Sequence, residues 1–349
     1  MNMKQQNNVR AVMSLFFAVT FTSCVNHFVP DNLDAYDPDA SFTTTVFRPV
    51  LGRTTLFSNA FNAGNSTLPM DFEITSITKA DGSPAPELTD VFPVRVWEKP
   101  YLGTETSLEE IEAKRGIEYR RLFDVRQHSG EFIMWENANS SFVECAPKDG
   151  YIFTVKASNS GGYKYTTGLQ LIPQREAEYE PSPVDPETGL VSTEYVTPTS
   201  IRRFYTEDYY LLPLEDIHVY FRRNLELEEQ GNMNSLTFRF YNPDWTPINP
   251  RCFNETKWDN LLHGFNMELT NEYVRYQVAY PIPLLNGLVT KYTNTTGDRA
   301  QATFATSWMF RENVRIWSSV SLEFAIYSEG SWEIIFFFSG DKPKLATVE

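Results

Sequence analysis

Short apolar runs of β-strand length recur through the first half of the chain, separated by turn-forming residues. Clear runs lie at residues 91–97, 131–135 and 151–157, and turn clusters such as Asp-Gly-Ser-Pro at 81–84 stand between them. Short strands at this spacing, joined by turns rich in Gly, Pro, Asn and Asp, are typical of two packed antiparallel sheets. We therefore predict an immunoglobulin-like β-sandwich over residues 41–178.

One helix is predicted to interrupt this sandwich. Ser107 is followed three residues later by Glu110. In such a capping box, the serine hydroxyl and the glutamate carboxylate satisfy amides that are free at a helix start. With Gly116 as the stop, the pattern predicts a short helix over residues 108–115 in a connection between strands.

After residue 198 the apolar pattern has a clear period of two. Three runs carry apolar side chains on one face and polar or aromatic side chains on the other. The apolar members are Ile217, Val219, Phe221, Leu236, Phe238, Phe240, Val274, Tyr276 and Val278, and the opposite faces carry His218, Tyr220, Arg222, Thr237, Arg239, Tyr241, Arg275 and Gln277. Such strands bury one face and turn the other to solvent or to a neighbouring surface. Residues 332–338 are apolar on both faces, which predicts a central strand.

These runs place a second, larger β-sandwich over residues 199–349, with a barrel as the alternative. One short helix is expected within it, because apolar residues recur at i, i+3, i+4 and i+7; they are Trp258, Leu261, Leu262 and Phe265. Residues 179–198, rich in proline and acidic residues, are predicted to link the two domains, although a long loop within one domain has the same composition. The predicted fold class is all-β, since no helix–strand alternation indicates a parallel sheet.

Net charge limits the partners that the protein can bind, and the cysteine content indicates whether it forms a disulfide. The 349-residue chain has a formal net charge of −15, which becomes −17 if an N-terminal segment carrying Lys4 and Arg10 is removed. Phosphate backbones repel such a polyanion, so nucleic acid is excluded as a partner. Apart from Cys24, the chain contains Cys145 and Cys252, one in each predicted domain, and we expect buried thiols rather than a disulfide.

The N-terminus has the pattern of an export signal that ends at a cysteine. A polar, basic head precedes an apolar or small stretch at residues 11–21, and Thr22 and Ser23 lead to Cys24. This stretch is too short to span a bilayer. We expect a signal peptide over residues 1–23 and a solvated acidic tether over residues 24–40. An ordinary secretory signal with a coincidental cysteine is the alternative.

The residues Phe21-Thr22-Ser23-Cys24 resemble the cleavage site of bacterial lipoproteins, whose cysteine is acylated; the aliphatic first position of that site is phenylalanine here. Together with the acidic tract and two sandwich domains, the chain resembles accessory surface lipoproteins of Bacteroidota. That resemblance implies lipidation at Cys24, attachment to the outer membrane at the cell surface, a polysaccharide ligand and a neighbouring outer-membrane transporter complex.

No motif of catalysis or of cofactor binding is present. The four histidines are scattered without zinc-ligand spacing, and no nucleophile elbow, phosphate-binding glycine loop or dinucleotide fingerprint occurs. We therefore predict no catalytic residue, metal site or cofactor. A glycoside hydrolase is the weaker alternative, because acidic residues are abundant but no pair of them stands out.

Aromatic residues are the candidates for ligand binding, since a flat ring can stack on the apolar C–H face of a sugar. Trp258, Trp308 and Trp332 lie on apolar faces and are expected in the core. The candidates are Trp97, Trp245 and Trp317, with Tyr241 in the turn-rich segment that precedes Trp245. Packing at a domain interface or under a loop is the competing interpretation for each.

The expected function is non-catalytic capture of glycan at the cell surface beside an uptake system. A structural or adhesive protein that binds another protein is the alternative, and an exposed apolar patch without an aromatic cleft would favour it.

Overall fold

The computed structural model describes residues 33–311 and 313–348, and β-strands dominate them. The predicted all-β class is confirmed, with two packed sandwiches and no closed barrel. Cys24 and the predicted signal peptide lie outside the described residues. None of the helices in the described ranges is long and apolar enough to cross a membrane.

The N-terminal sandwich contains eleven strands and two short helices. The strands are β1 (Ser41–Phe42), β2 (Val46–Phe47), β3 (Thr55–Phe57), β4 (Phe61–Asn62), β5 (Asp71–Lys79), β6 (Val91–Trp97), β7 (Arg115–Arg121), β8 (Phe123–Val125), β9 (Phe132–Met134), β10 (Tyr151–Asn159) and β11 (Gly162–Leu171). The helices are α1 (Pro86–Thr89) and α2 (Leu108–Glu112). A four-stranded sheet in the order β2-β11-β10-β5 packs against the three-stranded sheet β3-β9-β8.

Phenylalanine rings hold these two sheets together. Phe47 of the larger sheet lies 4.5 Å from Phe132 of the smaller one, and Phe153 lies 5.2 Å from Phe123, measured between ring centroids. All four rings are essentially inaccessible to solvent. Tilted and edge-to-face contacts between aromatic rings add to the stabilisation from buried apolar area.

The C-terminal sandwich contains the remaining strands and one helix, α3 (Leu225–Glu229). Its strands are β12 (Tyr179–Glu180), β13 (Ser200–Arg202), β14 (Ile217–Arg223), β15 (Asn234–Tyr241), β16 (Gly264–Leu269), β17 (Tyr273–Val278), β18 (Ala300–Phe310), β19 (Val314–Ile326) and β20 (Gly330–Phe338). One sheet has the order β14-β20-β15-β17-β16, and the other is built on β19, which pairs with β12, β13 and β18.

The predicted alternation places the core between these sheets. The inward side chains Phe240 and Phe336 meet Phe304 of the opposite sheet at 4.9 and 5.1 Å. β20 lies between β14 and β15, so the strand predicted to be central is an interior one. Trp332 and Trp308 are buried as expected, at 1% and 7% exposure.

Residues 179–198, the predicted linker, do not form a free-standing segment throughout. Tyr179 and Glu180 form β12 and pair with Ile326 and Ala325, so the C-terminal sheet begins inside the stretch predicted as a linker. Val196 bridges Val219 further along. The apolar cores of the two sandwiches are nevertheless separate clusters.

Two local predictions are wrong. The segment 255–265 is not an amphipathic helix: it has one 3-10 turn, Trp258–Asn260, and then enters β16. A helix of this length has marginal stability alone, and pairing of β16 with β17 is more favourable. Residues 33–40 are not a solvated tether, because Asp37 accepts hydrogen bonds from Asn65 and Ala40 is buried against the sandwich.

The first predicted helix exists but is shorter. The Ser107 hydroxyl accepts the amide of Glu110 at 3.1 Å, as the capping box requires. The helix ends at Glu112, and Arg115 and Gly116 already pair with β6. Cys145 and Cys252 are free thiols, the first buried and the second half-buried.

A small apolar cluster joins the sandwiches, and a histidine lies within it. Tyr101 and Ile111 of the N-terminal domain pack with Ala279 and Leu284 of the C-terminal domain. His263 Nε2 lies 2.8 Å from the Glu105 carbonyl oxygen, and the Tyr101 hydroxyl lies 2.5 Å from Nδ1. Because a carbonyl only accepts, Nε2 carries a proton. Burial lowers the pKa of His263 and so favours the neutral ring, whose Nδ1 accepts from the Tyr101 hydroxyl.

Acidification is expected to weaken this interface. Burial lowers the pKa of His263 below its ordinary value of about 6.5. The unfolded chain therefore binds this proton more readily than the folded one. The free energy of unfolding is thus unaffected by His263 above about pH 6.5 and decreases below it, by at most about 1.4 kcal/mol per pH unit. Thermal unfolding between pH 7.5 and 5.0 should show a shallower pH dependence for His263→Gln than for wild type. Parallel curves would contradict this assignment.

Candidate functional site

The outward face of the five-stranded sheet carries a mixed aromatic and charged surface, which we call the outer sheet face. Strand register sets it in rows. One row runs His218, Phe337, Tyr241; the next runs Tyr220, Ile335, Arg239, Tyr273; the third runs Arg222, Glu333, Thr237, Arg275. Since successive side chains point to opposite faces, burying their neighbours in the core directs all of these outward.

Trp245 covers the first row. Its ring stacks on Phe337 with centroids 4.2 Å apart and an interplanar angle of 16°. Tyr241 and Tyr220 flank it at 5.6 and 6.3 Å. Trp245 is nevertheless 49% exposed, whereas Phe337 is 9% exposed. The indole therefore rests with one face on the protein and leaves the other accessible.

A tight turn after β15 holds the indole in this position. The Trp245 amide donates to the Asn242 carbonyl at 2.9 Å, and the Asn242 amide donates to the Thr246 carbonyl at 3.0 Å. The Asp244 carboxylate accepts the Thr246 hydroxyl at 2.6 Å and its amide at 3.1 Å. These bonds hold the pKa of Asp244 below its usual range, and Lys342 lies 3.5 Å away.

Trp245 has a left-handed backbone, with φ of +61°. Glycine adopts this conformation freely, while a residue with a side chain loses roughly 1–2 kcal/mol there. Trp245 is one of six non-glycine residues with a positive φ in the described part of the chain, and its indole is half exposed.

The rim beside the aromatic row is formed by a tyrosine from the segment before β13. Tyr195 stacks on His218 with centroids 3.6 Å apart and lies 6.0 Å from Tyr220. Burial lowers the pKa of His218, so its imidazole is neutral at pH 7. The aromatic surface therefore continues from Trp245 through Tyr220 to Tyr195.

Charged groups lie next to these rings and are held in fixed positions. Arg239 pairs with Glu333 at 3.1 Å, and the Arg239 and Arg275 guanidiniums lie 4.9 and 4.6 Å from the Tyr273 ring centroid. Arg275 also donates to the Thr237 hydroxyl at 3.1 Å. Arg239 is two residues from Tyr241 along β15, about 7 Å. Hydrogen-bonding groups thus lie about 7 Å from the aromatic surface.

The chain matches a family model, Domain of unknown function (DUF5007), over residues 61–346. It belongs to this family. The match includes most of the N-terminal sandwich and all nine strands of the C-terminal one, so the DUF5007 region contains both the outer sheet face and the domain interface. No curated protein matches the chain.

The structure separates the four predicted ligand-binding residues of this DUF5007 protein. Trp245 and Tyr241 meet on the outer sheet face. Trp317 lies on β19 of the other sheet; it is 53% exposed, its only close cation among the described residues is Arg315 at 6.0 Å, and no described aromatic ring packs on it. Trp97 is half-buried between the sandwiches, 5.5 Å from Tyr101 and 4.7 Å from the Arg115 guanidinium.

Several members of the face escaped prediction. Tyr220 alternates with buried Val219 and Phe221, so the sequence pattern placed it on the mixed face, but nothing local relates β14 to the turn that carries Trp245. Phe337 belongs to a strand that is apolar on both faces and gives no signal of an outward role. Among the described residues, no group of three His, Cys, Asp or Glu side chains could hold a metal ion.

Phe337→Ala should destabilise the protein, because it removes the ring on which Trp245 rests. A buried phenylalanine truncated to alanine costs about 3 kcal/mol of unfolding free energy. Trp317→Ala is the control; its ring is more than half exposed, and we expect a loss of less than about 1 kcal/mol. Urea denaturation followed by circular dichroism measures both. If Phe337→Ala lowered the free energy of unfolding no more than Trp317→Ala does, Phe337 would not support the turn that carries Trp245.

Proposed function

We propose that this protein is a lipid-anchored surface protein that captures glycan on the outer sheet face without catalysing a reaction. The observation that carries this proposal is the Trp245 ring, stacked on Phe337 and open on its other side. A pyranose ring presents an apolar C–H face to such a surface, while its hydroxyls reach the charged groups at the rim. Arg239 and Glu333 supply a donor and an acceptor within the same face.

The size of the expected effect follows from the area that a sugar ring would cover. Covering about 60 Å² of indole stabilises a complex by about 1.5 kcal/mol at 25 cal/mol per Å², which is about tenfold in affinity. Individual contacts of this kind are weak. Anchoring the protein beside a transporter would raise the local concentration of glycan, so modest affinity suffices for capture.

The anchor rests on Cys24 and on the resemblance of residues 21–24 to a lipoprotein cleavage site. One acyl chain gives marginal membrane binding, so stable attachment needs more than one chain. The mature chain would begin at Cys24, nine residues before the first described one.

A protein-binding role is the second candidate, and the hairpin of β18 and β19 favours it. Met309 and Trp317, which share one face of this hairpin near its end, are 52% and 53% exposed. An exposed apolar surface of this kind is typical of docking between proteins. This surface lies on the other sheet of the C-terminal sandwich, so protein binding and glycan binding would use different residues.

Trp245→Ala should reduce retention in affinity gels that contain neutral polysaccharides, by about tenfold in dissociation constant. The mature chain, expressed without its signal, is the test protein, and a panel of plant and microbial polysaccharides is the set of probes. Trp317→Ala is the matched control, with similar exposure and no supporting ring, and should bind like wild type. Loss of binding in Trp317→Ala alone would place glycan binding at Trp317 and contradict the site on the outer sheet face. No retention of the wild type by any polysaccharide would favour protein docking instead.

Cys24→Ala should release the protein from the membrane fraction. In the wild type, intact mass spectrometry of detergent-extracted material should show an N-terminal Cys24 carrying acyl chains. An unmodified Cys24 thiol on protein recovered from the culture medium would contradict the anchor and leave an ordinary secretory signal.

A further inference from the structure

A cleft of about 1460 Å³ opens between the two sandwiches, away from the outer sheet face. Leu56 and Ile133 line it from paired positions on β3 and β9. The β6–β7 hairpin contributes Trp97, and the C-terminal sandwich contributes Pro283 and Tyr327. The volume exceeds the roughly 300–1,000 Å³ of pockets for single small molecules. It is large enough for an extended ligand.

The lining is rich in arginine and contains no lysine. Seven of the 19 arginines in the chain line the cleft and none of its 11 lysines does. Six come from the N-terminal sandwich, namely Arg48, Arg53, Arg95, Arg115, Arg120 and Arg126, and Arg299 comes from the C-terminal one. Five carboxylates also line it, so the arginines outnumber the acids locally in a chain whose net charge is −15.

Two of these arginines already hold a carboxylate between them. Arg53 bonds Glu180 Oε1 at 2.6 Å, while Arg299 bonds Oε2 of the same residue. The Arg53 guanidinium also lies 4.5 Å from the Tyr327 ring centroid. A planar guanidinium forms paired hydrogen bonds with a carboxylate and stacks on aromatic rings, which an ammonium group does less well. This end of the cleft shows the geometry by which its arginines bind an anion.

Two other arginines of the cleft, Arg48 and Arg120, form fewer contacts with carboxylates. Six of the seven form ion pairs; the exposed Arg48 has no carboxylate partner among the described residues. Arg120 pairs only with Glu118, its neighbour on β7, and its side chain is 52% exposed. Burial raises the pKa of the lining carboxyls Asp124 and Glu136.

The exposed guanidiniums of Arg48 and Arg120 supply hydrogen-bond donors on the N-terminal wall that a ligand can reach. Trp97, stacked near Arg115, and Trp135 provide flat apolar surfaces in the same wall. A ligand that fits this lining is rich in acceptors, carries negative charge and has flat apolar faces.

We propose that the interdomain cleft binds an anionic oligosaccharide, whose carboxylate or sulfate groups contact Arg48 and Arg120 while its rings lie against Trp97 and Trp135. The inference rests on the proposed function only for the saccharide class of the ligand. The site itself is separate from Trp245 and uses charge where the outer sheet face uses stacking.

Affinity electrophoresis of the mature chain tests this proposal with three probes: polygalacturonate for carboxylates, dextran sulfate for sulfates and dextran as the neutral polymer. The test variant is the double substitution Arg48→Gln with Arg120→Gln. The control is Arg175→Gln with Arg202→Gln, which removes two exposed arginines outside the cleft and changes the net charge equally. Circular dichroism melting curves of both should match wild type, since all four side chains lie at the surface.

We expect wild type and control to bind at least one anionic polymer more tightly than dextran, and the cleft variant to bind it at least tenfold more weakly. Binding of polygalacturonate alone identifies carboxylate as the ligand group, and binding of dextran sulfate alone identifies sulfate. The proposal is overturned if neither anionic polymer retains the wild type, or if cleft and control variants bind alike.

Trp245→Ala in the same gels separates the two sites. Unchanged binding of the anionic polymer in this variant supports an independent cleft, even if the outer sheet face binds no neutral glycan. Loss of anionic binding in Trp245→Ala, with no loss in the cleft variant, would place all recognition on the outer sheet face and overturn the proposal.

Discussion

Burial of one side of the five-stranded sheet is the constraint on which the candidate site depends. Phe238, Phe240, Ile334 and Phe336 are inaccessible to solvent and pack against the opposite sheet. Because a strand shows its side chains alternately to its two faces, a shift of register by one residue would expose that core. The cost of such a shift fixes which side chains point outward, and so it fixes the rows of the outer sheet face.

The apolar side chains on the outer face follow from the same constraint. Phe337 alternates with the buried Phe336 and Phe338, so it must point away from the core, where it would be exposed if nothing covered it. The turn after β15 places Trp245 on it. The indole shields an apolar ring and remains half exposed itself, which leaves an aromatic surface where a polar one is usual.

Docking of the two sandwiches creates a different kind of surface. The apolar cluster around Tyr101 and Leu284 is small, and ion pairs reach across beside it, from Arg53 to Glu180 and from Arg95 to Glu329. Of the six arginines on the N-terminal wall, Arg115, Arg120 and Arg126 pair with carboxylates of their own domain. Arg48 has no carboxylate partner among the described residues. The protein therefore offers two chemically distinct surfaces, one aromatic and solvent-facing, the other cationic and enclosed between domains. In the glycan capture that we propose, the two surfaces bind different parts of one polymer or different polymers.

The sequence by itself determined the all-β class, the inward and outward faces of β14, β15 and β17, the interior position of β20 and the capped start of α2. Each depends on interactions between residues close along the chain, where periodicity and capping are decisive. Tertiary structure alone decided that Tyr241 and Trp245 share a surface with Tyr220 and Phe337, that Trp317 stands apart, and that Trp97 lies between the domains. It also decided that residues 255–265 enter a strand instead of a helix. The reason is physical: pairing between strands and docking between sandwiches join residues of different runs, from neighbouring strands such as β16 and β17 to distant pairs such as Trp245 with Phe337. No local pattern records which partner a strand edge or a domain surface meets.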